Sequence, residues 1–175
     1  MPSPIGSSRS AEPTLTGIED AALSCSAVAG HRVLELTAAQ THPLRLAVLR
    51  RGTPSRDVAF VEDELATTLH LGVELDGVVV AVSTWIHKSH PDLPSIPGAQ
   101  LRGMATVPDL QGQGIGGELV ETGVERMFGS GRDLIWARAR DTALEFYERH
   151  GFVRRGPGYV DVVTGIPHHD IVRRR

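Results

Sequence analysis

Leu101-Arg102-Gly103-Met104-Ala105-Thr106-Val107-Pro108-Asp109-Leu110-Gln111-Gly112-Gln113-Gly114-Ile115-Gly116-Gly117 is the stretch whose reading decides the fold. Its first seven residues suit a strand, and Pro108 ends the run. Beyond the turn, Ile115, Leu119, Val120, Val124 and Met127 recur at helical spacing, which predicts a helix over residues 114–128. Between strand and helix stand four glycines in six residues, 112–117. Glycine weakens a helix by about 1 kcal/mol per residue relative to alanine, so this density implies a compensating use. Without a side chain, the backbone N–H groups can close on an anion, and a helix N-terminus adds partial positive charge. The turn reads as a phosphate site.

Other phosphate turns have to be weighed. Gly112, Gly114 and Gly117 satisfy the G-x-G-x-x-G of a dinucleotide-binding half. Three features oppose that reading: the motif follows a long first half, residues 108–111 separate it from the strand, and the next strand ends in Ala137-Arg138-Ala139-Arg140 rather than in a ribose-binding carboxylate. An NADP-binding oxidoreductase could use an arginine there, which keeps this alternative open. A P-loop fits worse, because no Gly-Lys-Ser/Thr follows the turn.

Working upstream, residues 1–30 are rich in Ser, Pro, Ala and Gly and read as a flexible tail, with a short helix near 18–29 and the domain over 31–175. Residues 32–36 suit a strand and 41–50 a helix. Residues 67–74 and 78–86 are β-rich runs joined by the hairpin dipeptide Asp76-Gly77. Three prolines make 89–98 a loop. Downstream, 133–139 reads as a strand and 141–150 as a helix with Asp141 as N-cap and Gly151 as C-cap; 152–163 and 170–173 supply the last strands. A hairpin-like first half and a strand-helix alternation in the second predict an α/β mixed sheet with helices on it.

Two ordered blocks resemble the GNAT superfamily of acetyl-CoA-dependent N-acetyltransferases. In residues 101–116, Gln111, Gly114 and Gly116 fill the Gln/Arg-x-x-Gly-x-Gly/Ala signature after a typical Val-Pro-Asp. Residues 143–152, Ala-Leu-Glu-Phe-Tyr-Glu-Arg-His-Gly-Phe, match the family's Ala-x-x-Phe-Tyr-x-x-x-Gly-Phe block. The resemblance implies a sheet whose central strands splay apart, with helices on both faces and acetyl-CoA as co-substrate between the strands. It implies backbone contacts from Met104, Ala105 and Thr106 to the acyl and pantetheine arm. Gln111, Gly112, Gln113, Gly114, Ile115 and Gly116 would wrap the pyrophosphate, and Tyr147 would act as general acid to the thiolate. A phenol is a suitable donor for that task. Phe146 reads as the apolar face of its helix.

Two departures from the family stand out. Where many relatives carry a pantetheine-binding Asn, seven residues before the tyrosine, this chain has Arg140, which could serve the pantetheine or a phosphate. Where some relatives place a glutamate base, it has Gln100 and Arg102, neither of them a base. Candidate bases are Glu62, Asp63, Glu64, His87, His168, His169 or a water, with His168 and His169 favoured because a C-terminal strand lines the acceptor side in relatives. Without a strand base, a non-catalytic acyl-CoA-binding module is a second reading. Metal is not expected, since adjacent histidines on a strand face opposite ways, which weakens a zinc site with His87 or His90.

Composition agrees with one soluble domain: 175 residues, 41% hydrophobic, 22% charged. A net charge of -3 gives no overall positive field, so nucleic acid and anionic membranes are not expected partners. Cys25 is the only cysteine, which excludes an intrachain disulfide and suits a reducing cytoplasm. The expected partner is a small-molecule or peptide amine, and an open sheet edge leaves room for a homodimer.

Overall fold

Asp76 and Gly77 both have positive φ, 50° and 80°, the conformation a two-residue hairpin turn demands. They join β2 (Leu69–Leu75) to β3 (Val78–His87) at the centre of the first half of the sheet. The computed structural model describes residues 30–175; the expected tail, its short helix and Cys25 lie outside the described residues. The remaining strands are β1 (His31–Glu35), β4 (Gly98–Thr106), β5 (Leu134–Arg140), β6 (Val153–Val160) and β7 (Pro167–Arg174). The helices are α1 (Ala38–Leu44), α2 (Ile115–Gly129) and α3 (Leu144–Arg149).

The sheet runs β1-β2-β3-β4-β5-β7-β6. Neighbours are antiparallel except β4 and β5, which α2 connects as a parallel pair. A dinucleotide-binding half needs successive parallel strands, so the oxidoreductase alternative falls here.

β4 and β5 pair only from Gly98 opposite Leu134 to Leu101 opposite Ala137, after which they part. The cause is visible on the other side of β4. Its register with β3 slips between Val82 and Thr84, where Gly103 and Met104 face a single residue, and Gly103 takes φ 58°. Such a bulge bends the strand and sharpens its twist. The glycine also leaves room for Phe60, whose ring carbon a Cβ at position 103 would approach to 2.9 Å.

Both faces of the sheet are covered. On one, Leu119, Val120, Val124 and Met127 of α2 pack with Leu71, Ala81, Trp85 and Leu101. Gly123 permits this closeness, since a Cβ there would lie 2.0 Å from the Trp85 indole. On the other face, Leu44 of α1 meets Leu36, Val82 and Ala105, while Leu93 and Ile96 of the 88–97 loop cover Leu134, Trp136 and Val172.

Two helix expectations need correction. The first helix starts at Ala38, not 41, because Thr37 and Gln40 form a reciprocal capping box, Thr37 N–H donating to Gln40 Oε1 at 2.8 Å. Pro43 inside it has no N–H to give, and the chain continues as a π-helical turn, Arg45–Leu49. At the other site Asp141 caps nothing. It opens a 3-10 turn before α3, and its carboxylate accepts from His169 Nδ1 at 2.7 Å. Gly151, at φ 74°, does close α3 as expected, with its own N–H on the Glu148 carbonyl and that of Phe152 on the Tyr147 carbonyl.

Candidate active site

Where β4 and β5 part, alternate residues of β4 lose the neighbour their N–H and C=O groups would have bonded. Two cavities open along this gap. The first, about 820 Å³, lies between β4, the glycine turn and α3, and is lined by Met104, Ala105, Thr106, Gln111, Gly112, Gly114, Gly116, Arg140 and Tyr147 among others. The second, about 670 Å³, lies toward the 50–60 segment and the hairpin between β6 and β7. They share a waist of Leu49, Met104, Arg140, Ala143 and Tyr147.

The glycine turn shapes the first cavity. Gly112 and Gly114 have φ of 78° and 86°, and a side chain at either would meet open space, so backbone conformation rather than crowding requires glycine there. Gln111 donates its amide N–H to the Thr106 carbonyl at 3.1 Å and so closes the turn onto β4. Gly114 is the N-cap of α2 with no side-chain cap. The first-turn N–H groups of this fifteen-residue helix therefore face the cavity end carrying the positive pole of the helix. Gly117 lets the His150 ring approach the helix start, and Arg149, paired with Glu145 at 2.7 Å, lines this cavity with Glu118 and Glu121.

Tyr147 is buried at the waist, 8% exposed, and its hydroxyl donates to Met104 Sδ at 3.5 Å. Thioether sulfur is a weak acceptor. Burial pushes the phenol well above its ordinary 10, so it keeps its proton throughout the useful pH range. Arg140 donates to the Leu49 carbonyl at 2.7 Å, tying β5 to the π-helical turn across the waist.

Residues 66–154 match the acetyltransferase (GNAT) domain family, just over half of the chain. This chain belongs to the GNAT acetyltransferase family. It is an acyltransferase. Over 140 residues, 80% of this chain and 93% of the relative, it is 26% identical to YitI, an uncharacterised N-acetyltransferase of Bacillus subtilis. Its fold resembles that of ElaA from Escherichia coli, with TM-score 0.68 at 17% identity over 82% of this chain and 99% of that one. It also resembles an acyl-CoA N-acyltransferase from Pseudomonas aeruginosa, with TM-score 0.66 at 21% identity over 82% and 99%.

Within this GNAT fold, the residues singled out in the sequence divide. Met104, Ala105, Thr106, Gln111, Gly112, Gly114, Gly116, Arg140 and Tyr147 line the first cavity together. Ile115 turns its side chain into the core, 1% exposed, leaving only its backbone for a ligand, and Gln113 bonds the Asp109 carbonyl from the surface. Phe146 is more than helix filler: it lines the cavity, edge-on to Tyr147 at 5.0 Å.

The suggested bases separate more sharply. Asp63 is claimed by Arg45, which reaches its two oxygens at 2.7 and 3.0 Å, and by the Phe60 N–H at 2.9 Å. Burial raises the Asp63 pKa, but these hydrogen bonds with the charges of Arg45 and His70 outweigh it and hold the carboxylate ionised. Glu62 is paired with Lys88 and Arg102, Glu64 is exposed, and neither it nor His87 lines either cavity. His169 is held by Asp141. His168 alone among the suggested histidines lines the second cavity, directly across the strand pair from Arg140.

Several lining residues have no sequence signature. Leu49, Asp57, Phe60, Asp161 and Thr164 come from separate segments that only the folded sheet gathers, and Arg138 joins them. The Arg-x-Arg alternation at Arg138 and Arg140, charged residues facing one way on a strand, was the available signal.

Proposed function

We propose that this chain transfers an acetyl group from CoA to a primary amine by direct attack, with donor and acceptor meeting at the waist. The meeting of the two cavities at Tyr147 carries the reading: one has the unpaired strand edge and helix N-terminus that suit an amide-rich arm ending in phosphates, and the other is free for an amine. Acetyl-CoA is the co-substrate of the family. Met104 to Thr106 offer backbone groups to the pantetheine arm, although the Thr106 carbonyl already serves Gln111. The turn from Gln111 to Gly116 takes the pyrophosphate.

In the reaction the amine nitrogen bonds to the thioester carbon and the carbon–sulfur bond breaks. Tyr147 turns its hydroxyl from Met104 Sδ to the departing sulfur. A thiol has a pKa near 8.5, below that of this buried phenol, so Tyr147 stabilises the thiolate by hydrogen bonding until a proton reaches the sulfur. His168 supports the other end. Its Nδ1–H donates to the Ile166 carbonyl at 2.7 Å, which leaves Nε2 as the basic nitrogen to take a proton from the attacking amine. Such positioning lets a ternary complex react without a covalent enzyme intermediate.

Release of CoA measured with a panel of amines tests this. Tyr147→Phe is expected to lower kcat by about 100-fold or more; undiminished turnover at every pH removes its role. Tight acetyl-CoA binding with no product from any amine points instead to an acyl-CoA sensor.

A further inference from the structure

The second cavity is cationic in a chain whose net charge is -3. Arg50, Lys88, Arg102, Arg138 and Arg140 line it, and the lining carboxylates among the described residues are Asp57 and Asp161. Asp161 is engaged by the Val163 and Thr164 N–H groups and the Thr164 hydroxyl at 2.8 to 3.1 Å. Behind the lining, Glu62 is divided between Lys88, at 2.8 Å, and Arg102, at 3.2 Å. Asp170 lies 4.0 Å from Arg138 Nε and already accepts from the Tyr159 hydroxyl at 2.9 Å, with His90 Nε2 at 3.3 Å. Five cations thus face four carboxylates, leaving an excess of about one positive charge.

Two of these cations stand where the strands part. Leu101 and Ala137 are the last paired residues of β4 and β5, so Arg102 and Arg138 are the first residue of each strand beyond the point of parting. Arg102 is held there by the Phe60 ring, 4.0 Å from its guanidinium carbon. Burial lowers its pKa, Glu62 opposes this, and the neighbouring charge of Arg138 lowers it further, so the two guanidinium groups feel one another. Arg138 and Arg140 face the same way along β5, about 7 Å apart, which sets the distance from this pair to the waist.

We infer that Arg102 and Arg138 bind a carboxylate of the acceptor, and that the acceptor is an amino acid whose amine reaches the waist while its carboxylate sits at the parting of β4 and β5. This rests on the transferase reading above and adds the class of acceptor. Guanidinium groups match a carboxylate in a bidentate fork, and an excess of one charge suits a monoanion better than a phosphate.

The test is kcat/KM from CoA release for glycine, β-alanine and 4-aminobutyrate, their carboxamides, 1,4-diaminobutane, phosphoethanolamine, and amidated peptides with an acidic second residue. Each free amino acid is expected to exceed its carboxamide by about 10- to 100-fold, the effect of one hydrogen-bonded charge pair. Arg138→Gln and Arg102→Gln should collapse that ratio, and Arg138→Glu should turn preference toward diaminobutane. Calorimetric acetyl-CoA affinity shows that each variant is folded, and the wild-type ratios decide the matter if one is not. Acidic peptides used in place of free amino acids keep the carboxylate site but overturn the amino-acid class. Carboxamides, phosphoethanolamine or diaminobutane used as well as the amino acids overturn the inference and leave the transferase reading standing. No product from any amine overturns both.

Discussion

The two cavities are built on different principles. The cavity proposed for the donor is made of backbone: a strand edge freed by a bulge, a turn of left-handed glycines and the bare N-terminus of α2. The cavity proposed for the acceptor is made of side chains brought from the π-helical turn, the 50–60 segment, β4, β5 and the β6–β7 hairpin. Backbone recognition needs a fixed local order of residues and so tolerates little change. A side-chain wall can be rebuilt one residue at a time, which suits a fold that keeps one donor and changes its acceptor.

The strongest way to break the contrast is to release the acceptor wall. The segment bearing Phe60 is fastened by the buried Arg45–Asp63 pair, with Arg45 also donating to the Val58 carbonyl at 2.9 Å. Asp63→Asn leaves the Arg45 charge buried and unpaired, at a cost of about 3–5 kcal/mol in unfolding free energy, read by urea titration. The sign with pH follows from the lowered carboxylate pKa. The ionised form contributes stability above the unfolded carboxylate range and loses it as pH falls through the folded value. The gap between wild type and variant should therefore narrow in acid; a gap unchanged with pH would assign the loss to something other than the ion pair.

A smaller effect is expected on the donor side. Gly114→Val forces a β-branched residue into φ 86°, a strain of about 1–3 kcal/mol. Acetyl-CoA affinity, measured by calorimetry, should fall by about 5- to 150-fold, with little change in preference among amines. Altered amine preference without loss of affinity would place the glycine turn on the wrong side of the site.

The same contrast explains what could be read from residue order. The glycine turn, the Asp76-Gly77 hairpin, the apolar stripe of α2 and Gly151 all act within a few residues of chain, and each stands where it was expected. The first helix begins ahead of its apolar spacing because Thr37 and Gln40, a pair legible in the sequence, form its capping box. Asp63 reads as a candidate base because its partner Arg45 is distant in sequence. The apolar face of its helix explains Phe146 only in part, since its ring also walls the cavity near Gly116. His168 is expected at the site from the family resemblance, but only the pairing of β5 with β7 sets it across from Arg140. Side chains that converge from separate strands carry no local pattern.

Amide hydrogen exchange with and without saturating acetyl-CoA tests the central claim most directly. Slowed exchange at residues 104–106 and 112–117, with residues 161–168 unaltered until an amine acceptor is added, is the predicted result. Protection of 161–168 by acetyl-CoA alone, or none at the glycine turn, would contradict the division of the site into a backbone-built donor side and a side-chain-built acceptor side.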